Sequence, residues 1–242
     1  NRNITITWST TSRVDTLNQG LLEKMKRAGC ILLGLGIESY NQEILTSARK
    51  RITIEQIDNA VAMVKKAGIN SMGHFVFGLP GDNCENAKRT INFALKNVDF
   101  AQFYCAIPYP KTELGEMAVK NGWTGNYDYE KLDFTQAVMG NESMSAGEIK
   151  KIRDILRIAA MLHDVGKVAI SDTLLKKSGP LSNEEFLQMQ QHVILGARLF
   201  KNSTSDWDDM AAEIALNHHE KWDGSGYPGN VDDIFNEAWI PG

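Results

Sequence analysis

Histidine is concentrated in one stretch of this chain. Four of the five histidines lie between residues 159 and 228: His163 is followed by Asp164 in LHDVGK, His192 stands alone, and His218 and His219 are adjacent in HHEKWDGSGYP. Several buried polar side chains in one region are costly unless something pairs them. Imidazole nitrogens and carboxylate oxygens are ligands that zinc, iron and manganese accept. The stretch therefore predicts a helical pocket built around cations.

Helical periodicity places these histidines at the ends or on the flank of three apolar stripes. A helix over residues 147–163 carries His163 on the stripe of Ile152, Leu156 and Ala159. His218 continues a second stripe, formed by Ala211, Ile214 and Ala215. A third helix over residues 183–200 carries His192 on its flank, and its predicted buried face consists of Phe186, Met189, Val193, Ala197 and Phe200. Each histidine alone is equally compatible with a core imidazole bonded to a backbone carbonyl. The presence of four histidines in one region favours a metal site over this alternative.

Taken in order, these motifs resemble the HD-GYP family of HD phosphohydrolases. The match comprises HDVGK from His163 to Lys167, QHVILGARL around His192, and HHEKWDGSGYP from His218 to Pro228. The resemblance implies a helical domain that holds two or three divalent ions, here iron, manganese or zinc in a two-metal site. It also implies hydrolysis of cyclic di-GMP or a related cyclic dinucleotide.

The resemblance also assigns roles to individual residues. Its implied metal ligands are His163, Asp164, His192, His218 and His219. Asp164 would bridge two ions, and Lys167 would contact a substrate phosphate, so these two are the expected catalytic residues. The implied substrate-side loop consists of Asp223, Gly224, Gly226, Tyr227 and Pro228. Two cations about 3.5–4 Å apart activate a water and neutralise phosphoryl charge, and Tyr227 or Trp222 can stack on a guanine. Without the other motifs, the loop would be interpreted as an ordinary turn.

Charge and cysteine content exclude several classes of protein. The net charge of −4 argues against broad binding of nucleic-acid polymers, which need a basic surface, whereas a small anionic nucleotide met by metal ions is compatible. No apolar run approaches the roughly 18 residues that cross a bilayer, so we expect no membrane insertion and a cytoplasmic location. The three cysteines, Cys30, Cys84 and Cys105, are too widely spaced for a disulfide framework or a zinc knuckle.

The first half alternates between strand and helix patterns. Strands are predicted over residues 3–8, over 31–37, up to Phe77, and over 101–107, with helices over 53–67 and 84–97 between the later ones. Such alternation favours a parallel β/α unit, open or barrel-like. Ligands bind such folds at the carboxyl ends of the strands, where Arg13 and Glu38 fall. Taken singly, Glu38 is equally well explained as a helix cap or a surface acid.

This half resembles the later strands of a cobalamin-associated radical S-adenosylmethionine enzyme. The segments that carry the resemblance are TSRVDTLNQGLLEKMKRAGC, LGLGIESYNQEIL, GHFVFGLPGDN and YCAIPYPKTELGEMA. It implies that Arg13 and Glu38 are candidate contacts to S-adenosylmethionine. The family's CxxxCxxC loop is absent from the sequence, and the three cysteines cannot replace it because three thiolates must reach one cluster from one short loop. No iron–sulfur cluster is therefore expected in this chain.

The sequence thus predicts two partial domains. Residues 1–145 form a partial radical S-adenosylmethionine-like β/α domain, and residues 146–242 form a partial HD-GYP-type helical domain that lacks some of the family's further ligands. The leading functional hypothesis is a metal-dependent phosphodiesterase acting on a cyclic dinucleotide, with an incomplete active site. The alternatives are an S-adenosylmethionine-binding remnant, a non-catalytic metal- or nucleotide-binding module, and an accidental join of two genes without evolved function. Because a truncated parallel sheet exposes an edge, an oligomer formed through that edge is also expected.

Overall fold

The structure is a computed structural model, and it describes residues 6–124, 136–200, 206–220 and 224–229. Tertiary contacts divide the chain into two compact units, Asn1–Arg153 and Asp154–Gly242, with the division inside a single helix. The regular elements of the first unit are β1 (Trp8–Ser12), α1 (Gln19–Arg27), β2 (Cys30–Glu38), α2 (Gln42–Ser47), α3 (Ile54–Lys66), β3 (Asn70–Phe77), α4 (Cys84–Asn97), β4 (Phe100–Cys105), α5 (Glu113–Lys120) and the start of α6 (Ala146–Met161). Those of the second are the rest of α6, α7 (Asp172–Leu175), α8 (Asn183–Arg198) and α9 (Asp206–Asn217). None of the helices in the described ranges is long and apolar enough to cross a bilayer.

The first unit is a four-stranded parallel sheet in the order β1-β2-β3-β4. Parallel neighbours need a crossover between them, and α1, α3 and α4 supply the three crossovers. β2 is a nearly continuous apolar run, as a strand covered on both faces should be. The predicted β/α class is confirmed. β1 and β4 end the sheet within the described residues, but pairing of either edge with another chain stays a prediction.

The main core of the first unit lies between one face of the sheet and the helices. Ile57, Val61 and Val64 of α3 are buried, as their spacing predicts, and they belong to the same apolar cluster as Leu33 and Phe75 of the sheet. Burying each such side chain contributes about 1.5–3 kcal/mol. A capping box starts the helix, because the Thr53 hydroxyl accepts from the Gln56 N–H while the Gln56 side chain accepts from the Thr53 N–H.

The opposite face of the sheet carries polar side chains and small residues. The ring of His74 on β3 lies over Gly34 of β2, where a Cβ would come within 2.7 Å of His74 Nε2. The Tyr104 hydroxyl lies 3.3 Å from His74 Nδ1. Glycine at position 34 therefore provides the room for an imidazole on this face.

The second unit is helical, as predicted. Its centre is the contact between α8 and the 3-10 turn Val165–Ala169 that follows Asp164, and α9 also packs on α8. Gly166 lies against the backbone of α8, where an added Cβ would overlap with His192 O and Gly196 N. Any side chain at position 166 would push the turn away from the helix.

Several element boundaries differ from the sequence predictions. β1 begins at Trp8, so the strand predicted over residues 3–8 lies too early, and its residues 3–5 fall outside the described part. α6 ends at Met161 and α9 at Asn217, so His163 and His218 follow their helices instead of closing apolar stripes within them. The predicted buried face of α8 is also wrong in part. Phe186 is 46% exposed, whereas His192, expected on the flank, is 1% exposed.

Candidate metal centre and the charged site of the first unit

Three short segments of the second unit bring an acid and three imidazoles together. Asp164 precedes the 3-10 turn, His192 lies within α8, and His218 and His219 directly follow α9. One ligand atom from each of these four residues lies within 4.8 Å of the others, which makes them a group that could hold a metal ion. We call Asp164, His192, His218 and His219 the His/Asp group. α8 is anchored at its start by a capping box between Ser182 and Glu185.

Backbone carbonyls orient two rings of the His/Asp group and the ring of His163. In each case Nδ1 faces the carbonyl three residues earlier: His163 that of Ala160 at 2.5 Å, His192 that of Met189 at 2.6 Å, and His218 that of Ala215 at 2.9 Å. A carbonyl can only accept, so Nδ1 must carry the hydrogen. In the neutral ring, Nε2 then presents a lone pair. This arrangement is typical of metal-binding histidine.

The oriented lone pairs of the His/Asp group converge. His192 Nε2 lies 3.3 Å from His218 Nε2. Asp164 Oδ1 lies 3.3 Å from the first of these nitrogens and 3.5 Å from the second. Asp164 Oδ1 is buried and, within the described ranges, has no hydrogen-bond donor. Acceptors that face one another at these distances repel unless a cation lies between them.

Electrostatics favour the ligand forms of these groups. Burial, with the charges of His218 and His192, lowers the pKa of His219 to about 4. Burial also lowers the pKa of His218, although its bond to Ala215 acts in the opposite direction. Burial raises the pKa of Asp164, but the Lys167 ammonium and the neighbouring imidazoles outweigh this effect, and the net pKa is lowered. Near neutral pH His218 and His219 are therefore neutral and Asp164 is ionised, which are the forms in which these side chains bind a divalent metal.

Two residues predicted at this centre occupy different positions from the other four. His163 is not part of the His/Asp group, and its Nε2 lies 3.4 Å from Asp164 Oδ2. The Lys167 ammonium lies 2.6 Å from the same oxygen. Lys167 therefore pairs with Asp164 here, and its predicted contact with a substrate phosphate stays a prediction.

The predicted substrate-side loop folds back onto the histidines. The ring of Tyr227 stacks on His219, with centroids 4.6 Å apart and an interplanar angle of 23°. The Tyr227 N–H donates to the His219 carbonyl, and Phe186 of α8 meets the Tyr227 ring edge-on. Gly224 is exposed and has a φ of 74°, in the left-handed region that favours glycine, while Gly226 and Pro228 are half-buried. Asp223 and Trp222 lie outside the described residues.

Gly166 is a site residue that the sequence prediction missed. Its close approach to His192 O and Gly196 N fixes the turn after Asp164 against the helix turn that bears His192. The available signal was a glycine two positions after a predicted ligand, a residue that allows two backbones to approach closely. Gly196 lies four residues after His192 on α8, where the two backbones meet.

The charged residues predicted in the first unit are neutralised by protein partners. Arg13 donates two hydrogen bonds to Asp15, at 2.9 and 2.8 Å, and a third to the Lys50 carbonyl. Lys50, which the sequence prediction missed, pairs with Glu38 at 2.5 Å. Glu38 has a φ of 70°, uncommon for a residue with a side chain, at an irregularity in the pairing of β2 with β3. Lys50 therefore links the two predicted contacts, Arg13 and Glu38.

The cysteines do not fit an iron–sulfur cluster. Cys30 begins β2, Cys84 begins α4 and Cys105 ends β4, and only Cys84 is exposed. No group of metal-ligating side chains in the described part of the chain includes any of them. A four-iron cluster needs thiolates that converge, and these three cysteines do not provide them.

Comparison with known proteins finds a different family model for each part of the chain. Residues 1–94 match the model of the Radical SAM superfamily, and residues 138–240 match that of the HD domain. The first part of the chain is thus similar to the Radical SAM superfamily and the second to the HD domain. An HD domain implies a divalent metal, for which the His/Asp group is the candidate site. Both resemblances inferred from the motifs are confirmed.

Individual relatives match different shares of the chain. An "uncharacterized methyltransferase" of Pyrococcus horikoshii is 36% identical over 168 residues, which are 69% of this chain and 36% of that protein. A cyclic di-GMP phosphodiesterase of Thermotoga maritima is 52% identical over 73 residues, 30% of this chain and 20% of that protein. A solved cobalamin-dependent S-adenosylmethionine radical enzyme with aqua-cobalamin bound is 14% identical, with a TM-score of 0.48, and the match covers 90% of this chain and 38% of that one. The chain therefore spans only a minor part of each relative.

Proposed function

We propose that the HD domain of this chain is a metal-dependent phosphodiesterase that hydrolyses a cyclic dinucleotide, cyclic di-GMP. The observation that supports this most directly is the convergence of two oriented imidazole nitrogens on the buried Oδ1 of Asp164. The relative from Thermotoga maritima, a cyclic di-GMP phosphodiesterase, supports the choice of substrate. The negative net charge agrees with a small substrate bound through metal ions.

The residues of the site have separable roles in this proposal. Asp164, His192, His218 and His219 would hold the first ion, and His163 would add a nitrogen on the Oδ2 side of Asp164. Bound divalent ions supply an activated water at neutral pH and neutralise charge on the phosphoryl oxygens. Lys167 provides a partly exposed ammonium beside the site, where it would contact a substrate phosphate. Water adds across one P–O bond, and the ring opens to a linear dinucleotide.

The loop from residue 223 to 228 holds the substrate base in this proposal. Tyr227 already stacks on one ring, that of His219, and makes a T-shaped contact with Phe186. An aromatic ring in this position can exchange a side-chain contact for a base. Gly224 and Gly226 allow a nucleotide to approach the backbone closely. Asp223 and Pro228 complete the proposed loop.

The test is hydrolysis of cyclic di-GMP by the purified chain after loading with Mn²⁺, Fe²⁺ or Zn²⁺, with the products separated by chromatography. We expect linear dinucleotide in the metal-loaded sample and none after chelation. A sample that contains bound metal but forms no linear product would rule out the phosphodiesterase and favour a non-catalytic metal-binding module. A related cyclic dinucleotide, tested in parallel, measures selectivity for guanine.

For the first unit we propose S-adenosylmethionine binding at the carboxyl ends of β1 and β2. The supporting observation is the backbone of Glu38, because an unfavourable φ at a strand end often marks a functional constraint. Arg13 and Glu38, linked by Lys50, are the proposed contacts. Calorimetric titration with S-adenosylmethionine tests the proposal, and a titration without saturable heat would exclude it.

A further inference from the structure

We propose that Lys167 makes the metal centre take up its two cations in order, the second only when Lys167 leaves Asp164. This inference rests on the proposed metal site and specifies how the site is loaded. Its basis is the unequal surroundings of the two oxygens of one carboxylate.

Oδ1 and Oδ2 of Asp164 face different partners. Oδ1 is directed at the imidazoles, with His192 Nε2 at 3.3 Å and His218 Nε2 at 3.5 Å. Oδ2 is 2.6 Å from the Lys167 ammonium and 3.4 Å from His163 Nε2. A carboxylate that bridges two ions through both of its oxygens offers one oxygen to each ion. The first ion finds its oxygen without a competing cation, whereas the second must compete with Lys167.

The Oδ2 side offers two protein ligand atoms, Asp164 Oδ2 and His163 Nε2, to a second ion once Lys167 has moved. His163 Nδ1 faces the Ala160 carbonyl, so its Nε2 presents a lone pair toward Oδ2 by the same reasoning as for His192. The ammonium holds the charge that a cation would bring to this side. An incoming divalent ion must both displace it and overcome like-charge repulsion.

Lys167 is able to leave. Its side chain is 38% exposed and that of Asp164 is 36% exposed, so the pair is screened by solvent and has a modest strength. The stem of lysine is flexible, and a substrate phosphate offers the ammonium another acceptor. Because exposed pairs of this kind are weak, we expect Lys167 to lower the affinity for the second ion by about fivefold.

The experiment is a titration of the full chain with Mn²⁺, followed by calorimetry and by elemental analysis of the gel-filtered protein. In the wild type we expect one tight ion and a second that binds at least about fivefold more weakly. Lys167→Met should raise the affinity for the second ion about fivefold and leave the first within twofold. Adding His163→Ala to Lys167→Met should remove the second ion.

Lys176→Met is the matched control, because Lys176 pairs with Asp172 at 2.5 Å on an exposed surface. It should leave both binding steps unchanged. Lys167→Gln serves as a second neutral variant if Lys167→Met does not give the circular dichroism spectrum of the wild type.

The outcomes separate this inference from the proposed function. If the wild type binds no ion, the metal site itself is refuted. If it binds two ions whose affinities do not respond to either Lys167 variant, the phosphodiesterase proposal stands and the ordered loading is wrong. Binding of a single ion by the wild type and by both Lys167 variants would also overturn the ordered loading, because removal of the ammonium would then not create a second metal-binding site.

Discussion

The two units of the chain use charged side chains in opposite ways. At the strand ends of the first unit, Arg13 is paired with Asp15 and Lys50 with Glu38. In the second unit, the lone pairs of Asp164 Oδ1, His192 Nε2 and His218 Nε2 face one another. The first arrangement is neutralised within the protein, whereas the second requires a cation. This difference identifies the unit in which a metal is expected, since charged residues near a strand end do not by themselves indicate an unfilled site.

The largest expected effect is the loss of metal from the His/Asp group. Asp164→Asn replaces the ionised oxygen that faces both imidazoles with a neutral amide. Changes outside the ligand shell commonly cost roughly 10–100-fold in metal affinity, so we expect a loss of at least about 100-fold here. Calorimetric titration with Mn²⁺ measures it. The matched control, Glu38→Gln in the first unit, should bind Mn²⁺ like the wild type, and equal losses in both variants would remove the contrast between the units.

The next effect is a pH dependence of stability that belongs to the first unit. Burial raises the pKa of Asp82 to about 6, although the N–H groups of Gly78 and Asn83 act in the opposite direction. The folded state keeps this proton up to about pH 6, while the unfolded chain releases it near 3.8. Stability from this group is therefore complete below pH 3.8 and is lost as the pH rises through 6.

Asp82→Asn isolates that contribution. The shift corresponds to about 3 kcal/mol at most between pH 4 and pH 7. The free energy of unfolding of the wild type minus that of the variant should therefore fall by up to this amount between pH 4 and pH 7. The amide also leaves one backbone N–H without its acceptor, but this cost is the same at every pH. Hydrogen exchange of β2 and β3, measured from pH 4 to 7, follows the first unit alone. A difference that does not change with pH would show that Asp82 titrates normally.

A smaller effect tests the close packing beneath the metal centre. An alanine Cβ at position 166 overlaps with His192 O and Gly196 N, which are backbone atoms that cannot move aside cheaply. We expect Gly166→Ala to destabilise the second unit by about 1–3 kcal/mol and to weaken Mn²⁺ binding, because it separates Asp164 from His192. Gly179→Ala is the control, since nothing lies within 4 Å of a Cβ there. Destabilisation with unchanged metal affinity would assign Gly166 to the fold alone.

The sequence predicts most of the first unit because its signals are local. The pattern of the sequence places α3 and α4 within one residue of their observed bounds, and a nearly continuous apolar run predicts β2. β1 is placed less well because the alternating apolar and polar residues that predict it, 3–8, mostly precede Trp8, the first residue paired with β2 in the described part of the chain. Propensity sets the pattern of a strand, but the neighbouring strand decides where it starts.

The candidate site is predicted in its residue types and less well in its geometry. His192 and Asp164 are predicted by the motifs. The burial of His192, however, depends on the turn that Gly166 allows to approach α8, and helical periodicity does not predict this tertiary contact. The pairing of Lys167 with Asp164 and that of Lys50 with Glu38 are likewise tertiary. Lys50 lies in no apolar stripe and no motif, so its role at the strand ends appears only in the folded chain.

The smallest expected effect measures how completely the first unit neutralises its own charges. Lys50 and Glu38 side chains are 18% and 25% exposed, and their pair also holds the strand end where Glu38 has a positive φ. A double-mutant cycle with Lys50→Met and Glu38→Gln should give a coupling free energy of about 1 kcal/mol in the unfolding of the first unit. Salt should weaken this coupling only slightly, because the pair is partly buried. Neither variant should change Mn²⁺ binding by the second unit, since Lys50 and Glu38 lie outside the His/Asp group. A coupling near zero would mean that Glu38 is held by its backbone alone, and the carboxylate would then be available to a ligand without first releasing Lys50.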